Sequence, residues 1–529
     1  MNVLRSRTAV RLVSASAAVT LLAACGASND VKESVAQQRA AEAQVRAGGG
    51  LPAAGGLPAA TDATGTTGLP AAPGTTTGAA APGTGIDTAA GAATDTTTGA
   101  AKGGNTGGTA TTSGAATGGC GAAAPAGGNG GATDTGVTPT SIKIGGTFFN
   151  GGFLDKYGQV SENAPRAYFN YINDSGGICG RKIEYSTCDT AGTADGTSGC
   201  LNKLANQDKV FAMGPSLDFN LDIVPPTLAR LKLPWVGSSG LYAEEFTSPW
   251  MFPSQLRGTD VGALITQFSV QQLHLKKMGV SFLNDVAGPE CTEQAKKTAA
   301  ANGATVADTA SNGTIETSLD NQVAKLRNAG VDGVLFCNDP VNTVKFIQAA
   351  QRVGWKPTFV GGFVLADDVP QAAGSGGKGM YGFSFWDFYK ADTPGVKQYR
   401  QITEYYFPQT FHHFYEQATY IGAKALVDAI RAVGPKLTRA ALVAQMKKMN
   451  NYDTGFGLKL NFADLGKSTA TGQMFKADDN LVWQPATGRF GVKAGGGNNT
   501  APGQTNPVIV AATPAQIVER SKSSRTWRR

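Results

Sequence analysis

Hydrophobic and polar positions change period repeatedly along the middle of the chain. Ile142 and Ile144 flank Lys143 ahead of Gly145-Gly146, the pattern of a short strand running into a loop. Ala164, Ala167, Tyr168, Tyr171 and Ile172 then recur at helical spacing, and Gly176-Gly177 stops the run. The same reading predicts strands over 183–188, 210–213 and 233–236, with helices over 198–207 and 221–231. Pro234 suits a sheet edge or the first residues of a strand better than its centre. A second alternating run has helices at 261–273, 292–301, 319–329 and 341–352, and strands at 280–283, 334–336, 358–360 and 381–388. Helices follow over 396–406, 411–433 and 439–449, and 455–490 reads as short strands and turns. Alternating strands and helices give parallel sheets covered on both faces. Two such runs with later returns predict two similar lobes joined by several crossings.

Outside this region the pattern disappears. Residues 48–136 are nearly all Gly, Ala, Thr and Pro, and no Phe, Tyr or Trp precedes Phe148, so nothing there nucleates a core. Three Leu-Pro-Ala-Ala copies, at Leu51, Leu57 and Leu69, have no apolar face to stack and read as low complexity. A Gly-rich coil of roughly 90 residues reaches about 50 Å, suiting a tether. The tail from Gly495 is similar in kind, which leaves 138–493 as the foldable core. At the other end Arg5, Arg7 and Arg11 precede an apolar run from Leu12 to Leu22, the layout of a secretory signal peptide. That run is too short to span a bilayer, which takes roughly 20 apolar residues. The words Leu22-Ala23-Ala24-Cys25 resemble a bacterial lipobox, which implies cleavage before Cys25 and a lipid on its thiol. A short helix is expected over 31–47.

The formal net charge of +7 changes this picture little. Three arginines leave with the signal peptide, and Arg520, Lys522, Arg525, Arg528 and Arg529 crowd the tail, so the core is nearly balanced and no nucleic-acid surface is expected. Of seven cysteines, six remain beside Cys25, an even set that suggests disulfides in an exported chain and leaves fifteen pairings open. There is no Cys-x-x-Cys pair and there are three histidines, with His412 and His413 expected on different faces of one helix, so no metal site is predicted. No nucleophile elbow, HExxH or phosphate-gripping Gly loop is present, and no enzymatic activity or cofactor is expected. Asp367-Asp368 reads as a solvated pair in an exposed loop.

The order of elements carries a resemblance. Ile172-Asn173, two residues, then Gly176-Gly177-Ile178-Cys179-Gly180-Arg181-Lys182-Ile183 is similar to the first lobe of the branched-chain amino-acid-binding family, the type I solute-binding proteins of ABC importers. Cys188-Asp189, 214–221, 236–239, 333–336, 349–354 and Phe359-Val360-Gly361-Gly362 fit in the same order, so the resemblance covers about 141–491. It implies an α/β fold of two Rossmann-like lobes joined by three hinge crossings, with a ligand held in the cleft by closure. The expected division is a signal peptide over 1–24 and a lipid-anchored disordered linker over 25–137. Lobe one takes 138–258 plus 390–472, lobe two takes 259–389 plus 473–493, and 494–529 forms a disordered basic tail. The implied function is capture of a small polar organic ligand at the extracytoplasmic face of a bacterial membrane and delivery to an ABC permease. A ligand-sensing receptor with the same fold is the alternative.

The resemblance also implies site residues. Tyr157 falls at a cleft aromatic, in a loop where Phe148, Phe149 and Phe153 either cap an apolar ligand part or pack beneath. Ser216 to Asp218 fall where the family holds a ligand carboxylate; Asp218 itself is a helix cap or a ligand contact. Ser238 and Ser239 match the second carboxylate-binding loop or form a tight turn. Asp339 matches a cleft position of lobe two, or caps the helix after it. Phe363 stands where amino-acid-binding members keep the acid that meets the ligand ammonium, and a buried ammonium without a countercharge is costly. Asp218 and Asp339 facing each other would favour a cationic or hydroxyl-rich ligand, whereas Phe363 favours an aromatic or apolar part. Among the cysteine pairings, one arrangement joins Cys188 to Cys200 beside the cleft, Cys291 to Cys337 on lobe two, and Cys120 to Cys179. The family's usual partner for Cys188 would fall at Leu217, so that bridge cannot form.

Overall fold

The computed structural model describes residues 119–491 except 152–153, 256, 286, 315 and 465–469. Cys25, the helix expected over 31–47 and the tail lie outside the described residues.

The first sheet has five parallel strands in the order β2-β1-β3-β4-β5: β1 (Ser141–Phe148), β2 (Lys182–Asp189), β3 (Ala212–Met213), β4 (Trp235–Val236) and β5 (Met251–Phe252). Every residue of β1 except Lys143 is buried, on both alternating faces, as a strand covered on both sides requires. Pro234 lies just before β4, so an interior strand tolerates it; its carbonyl accepts from Met213 N–H. Helices α1 (Asp155–Asp174), α2 (Ala194–Asn202), α3 (Pro225–Leu231) and α4 (Ala243–Thr247) follow the first, second, third and fourth strands. The helix expected over 198–207 ends in a π turn at Lys203–Gln207, and the one over 221–231 begins as a 3-10 turn before Pro225 opens α3.

The second sheet runs β14 (Trp483–Pro485), β13 (Thr471–Ala477), β10, β9, β8, β6, β7. Its parallel strands are β6 (Lys277–Leu283), β7 (Thr305–Asn312), β8 (Gly333–Cys337), β9 (Thr358–Gly361) and β10 (Tyr381–Ser384). Helices α5 (Gly258–Gln271), α6 (Ala287–Ala301), α7 (Asp320–Asn328), α8 (Pro340–Arg352) and α9 (Asp368–Ala372) belong to this half. β7 escaped the sequence reading because Thr-Val-Ala-Asp-Thr-Ala-Ser-Asn pairs on one side alone, at the sheet edge, and needs no apolar run.

The chain then returns. α10 (Pro394–Tyr406) and α11 (Phe414–Val433) pack on α1, and α12 (Arg439–Met446) packs on α11. After a small hairpin of β11 (Tyr452–Asp453) and β12 (Lys459–Leu460), β13 (Thr471–Ala477) joins the second sheet antiparallel to β10, carrying β14 (Trp483–Pro485) and β15 (Phe490–Gly491). The chain therefore passes between the sheets three times, after β5, after β10 and before β13. The strand expected over 381–388 stops at Ser384 because the chain there turns into the second passage, with Ser384 Oγ accepting from Trp386 N–H (3.1 Å).

Order begins earlier than residue 138, a correction to the expected linker. Gly121 and Ala122 carbonyls accept from Cys179 and Gly180 N–H, and Cys120 N–H donates to Arg431 O. Cys120 is bonded to Cys179, Cys188 to Cys200 and Cys291 to Cys337. The Gly-Gly-Ile-Cys-Gly-Arg phrase is the tight turn beneath this collar: Cys179 and Gly180 both have positive φ (52° and 74°), and Ile178 bridges Arg181. Arg181, fully buried, donates to the carbonyls of Thr138 (2.8 Å), Gly131 (2.9 Å), Asn129 and Pro435 (3.3 Å). All of these lie at the edge where β1 and β2 begin, away from the loops at their carboxyl ends.

Candidate functional site

In parallel sheets the loops that leave the carboxyl ends of strands gather polar groups and helix N-termini, and ligands collect there. Here those loops hold Phe149 after β1, Ser216 and Asp218 after β3, Ser238 and Ser239 after β4, Asp339 after β8, Phe363 after β9 and Trp386 after β10, while Tyr157, expected in the loop after β1, lies in the first turn of α1. Both lobes thus bring the expected site residues to facing edges.

Tyr157 is 2% exposed, and its phenol donates to both oxygens of Asp368 (3.0 and 3.2 Å), at the start of α9 in the other lobe. Burial, then the Asp368 charge, hold its pKa well above the usual phenol range, so it remains a donor. Lys156 forms an ion pair with the same carboxylate. Asp367 accepts from Tyr389 Oη (2.8 Å) and pairs with Lys390 (2.5 Å). The pair read as solvated is therefore engaged, Asp368 with Tyr157 and Lys156 of the first lobe and Asp367 with Tyr389 and Lys390 in the second passage between the lobes. Nearby, Ala366 bridges His413, and the Phe363 and Phe414 rings lie 6.1 Å apart, two more contacts between the lobes.

Ser216 Oγ accepts from Thr147 N–H (3.1 Å) and donates to Gly214 O (3.2 Å), so it serves its own lobe. Asp218 is fully buried and accepts from Thr197 Oγ1 (2.9 and 3.0 Å) and Asn220 N–H (3.3 Å); burial pushes it up to about 6. Ser239 Oγ donates to Asp218 O (2.9 Å). Asp339 caps α8, accepting from Asn342 N–H (2.9 Å) and Nδ2 (2.7 Å). The hydrogen bonds of Asp218 and Asp339 are each made within their own lobe. Asp339→Ala should cost about 1 kcal/mol at the thermal midpoint through the lost cap, with Asp339→Ser recovering most of it. An unchanged midpoint would rule the cap out.

Ser238 is buried beside Glu245, which sequence reasoning did not single out. Glu245 sits three residues into α4's opening turn, and its carboxylate gathers the N–H groups of Gly240 (2.8 Å), Leu241 (2.9 Å) and Tyr242 (3.1 Å). The spacing Tyr242-x-x-Glu245 resembles a capping box without the usual Ser or Thr, which is why it was passed over. Gly237 in the same loop has φ +88°, and a Cβ there would stand 2.9 Å from Gly422 Cα of α11, so this close approach requires glycine.

Burial raises Asp218 and Asp260 to about 6 and Glu245 to about 7. A carboxyl raised on folding binds a proton the unfolded chain has already lost, so each contributes stability that grows as pH falls from about 7 toward its unfolded value. Burial also holds His413 neutral, well below its ordinary value, which opposes the gain below pH 6.5. Burial raises Asp285 (to about 6), Glu290 (to about 7) and Asp339 as well, so the raised carboxyls outweigh the one lowered histidine, and the thermal midpoint should be higher at pH 5.5 than at 7.5, with Glu245→Gln reducing the difference. A midpoint that falls steadily over that interval would contradict this assignment.

Histidines 412 and 413 do not share a helix, a further correction. His413 is the N-cap of α11, its Nδ1 accepting from Tyr415 N–H (3.1 Å) and Glu416 N–H (3.4 Å). His412 lies just before it, with Nδ1 against Tyr399 Oη and Glu416 (both 2.9 Å) and Nε2 against Glu404 (3.1 Å). A largely buried aromatic group lines this part of the site. The Tyr157 ring meets His413 at 5.1 Å, Phe411 at 5.9 Å and Tyr415 at 6.5 Å, and Trp386 stacks on Phe414 at 6.3 Å.

A separate cavity of about 1200 Å³ lies where β9 and β10 begin, lined by Trp355, Tyr381 and Lys476 among others, at the opposite edge of the second sheet from these loops.

The sequence profile described as periplasmic binding protein matches residues 141–480. A curated relative, Leu/Ile/Val-binding protein homolog 7 of Brucella abortus, is 26% identical over 168 residues, 31% of this chain and 39% of that protein. The chain thus matches well under half the length of this relative. Among solved structures, a fatty acid ABC transporter substrate-binding protein from Thermomonospora curvata superimposes with TM-score 0.63 at 21% identity, over 68% of this chain and 95% of the other. A branched-chain amino-acid ABC transporter protein from Thermus thermophilus with bound valine gives 0.61 at 16% identity, over 66% and 96%. An ABC transporter solute-binding protein from R. palustris in complex with benzoate gives 0.59 at 16% identity, over 65% and 95%. These likenesses establish the fold.

Proposed function

Because the chain belongs to the periplasmic binding protein family, we propose that it captures a small organic solute between its lobes outside the cytoplasm and delivers it to an ABC permease. The observation that carries this reading is the Tyr157–Asp368 hydrogen bond, which ties the first turn of α1 in the first lobe to α9 of the second beside the aromatic group. Closure of that kind excludes water and strengthens polar contacts to an enclosed ligand. Phe363, buried against Phe414, gives the second lobe an apolar wall where a free amino group would need a countercharge, so the ligand carries an apolar or aromatic body. Tyr157, Ser239, Asp339 and Phe363 are the residues we place nearest to it, with Ser216, Asp218 and Ser238 shaping the loops behind. Lipidation at Cys25 would hold the protein at the membrane; among the described residues no helix is long and apolar enough to cross one.

The test is a thermal-shift screen of the full chain against amino acids, fatty acids, aromatic acids, amides, polyamines and sugars. A ligand present at 100 times its Kd should stabilise the protein by about 2.7 kcal/mol. Loss of the shift in Phe363→Ala would support binding in this cleft. Stabilisation by valine or leucine equal to that of any larger apolar ligand would contradict the role given to Phe363.

A further inference from the structure

His413 carries chemistry that its helix-capping role does not use. Its Nδ1 lone pair accepts two backbone N–H groups, so in the neutral ring the proton must sit on Nε2. The ring is fully buried, and Nε2 has no hydrogen-bond partner among the described residues. The two ring nitrogens diverge, so Nε2 is directed away from the first turn of α11. Around the ring stand Tyr157 (5.1 Å), Phe411 (5.3 Å) and Tyr415 (5.8 Å), and its backbone bridges Ala366 of the opposite lobe. Lys156 and His412 are the charged or titratable groups that act on it electrostatically, and both disfavour a second proton on the ring. Trp386, stacked on the neighbouring Phe414, likewise buries an Nε1–H that has no acceptor among the described residues.

A buried donor left without an acceptor is costly, and a ligand atom that accepts from it recovers that cost. We propose that His413 Nε2–H is a fixed, neutral hydrogen-bond donor to the ligand. The polar end of that ligand is then a carboxylate or carbonyl oxygen and not an ammonium. This rests on the solute-capture reading and narrows it. It also moves the polar contact away from the loop at 216–218, whose Ser216 hydroxyl and Asp218 carboxylate are occupied within the first lobe.

The experiment uses the full chain with benzoate, decanoate and benzamide as acceptor probes and benzylamine and decylamine as matched donors, read by calorimetry. His413→Asn is the informative variant, because asparagine is a strong N-cap and preserves the helix start while removing the Nε2–H donor. We expect at least one acceptor probe to bind, its matched amine to bind at least ~10-fold more weakly, and His413→Asn to weaken the acceptor probe by roughly 10- to 100-fold with a near-native thermal midpoint. Equal binding by His413→Asn overturns the role of this residue and leaves solute capture standing. Binding of the amines alone overturns the ligand class, and failure of every probe counts against both readings. Nitrogen-15 spectra of the ligand-free protein provide a readout that needs no ligand: a proton on Nδ1, or on both nitrogens near pH 7, overturns the proposal.

Discussion

Arg181→Ala should lower the unfolding free energy by about 4 kcal/mol, because a fully buried guanidinium that serves four backbone carbonyls would be replaced by nothing able to donate. Each buried acceptor left without a donor costs about 1–3 kcal/mol, and partial hydration of the opened space recovers some of the sum. Arg181→Lys should recover little, since one ammonium cannot span carbonyls from three separate segments in the fixed directions of a guanidinium. Urea unfolding of the full chain is the measurement, with a midpoint falling at nearly constant slope. A loss below about 1 kcal/mol would mean that the segment 129–138 is held mainly by the Cys120–Cys179 bond and its own backbone contacts.

Tyr157→Phe should weaken ligand capture by roughly 10- to 100-fold with little effect on folding. The lost bond runs from a buried phenol to a carboxylate and is worth about 1.5–3 kcal/mol to the closed arrangement alone. A shift of that size in a closure equilibrium passes directly into apparent affinity. Asp368→Ala should do at least as much, because it also releases Lys156. Lys156→Ala should do little, since that side chain is half exposed and exposed ion pairs contribute about 0–1 kcal/mol. Small-angle scattering on the ligand-free variants would detect the shift as a larger radius of gyration. Identical scattering from Tyr157→Phe and the unsubstituted protein would show that the bond does not govern closure.

Much of the architecture could be read from the chain because it is written in period and punctuation. Ile142-Lys143-Ile144, the helical run ending at Gly176-Gly177 and the apolar strand at 333–337 are signals a core imposes directly. β7 was hidden because an edge strand can be polar, and β5 because two residues carry no period. The site was less legible for a different reason. Tyr157 and Phe363 announce themselves by size and position, but the partners that matter to them come from segments far apart in sequence. Asp368 lies more than two hundred residues from Tyr157, and its neighbour Asp367 made both look like an ordinary solvated pair. The apolar pattern puts His413 inside a helix, whereas it is the N-cap that begins one, and that one-residue difference decides which of its nitrogens is free. Asp218 and Asp339 carried two readings each, and local hydrogen bonds within their own lobes took both carboxylates.

The collar over 119–137 has a mechanical consequence. Its contacts with Cys179, Arg181 and Arg431, together with Thr133 Oγ1 donating to Leu437 O and Asp134 accepting from Arg439 N–H (2.7 Å), all belong to the first lobe, at the edge remote from the facing loops. Were the chain to be pulled from residue 119, the load would pass through a covalent bond and a buried guanidinium into one sheet, and no part of its path includes the three passages between the lobes. A leash fixed in this way can be pulled taut without working the jaw.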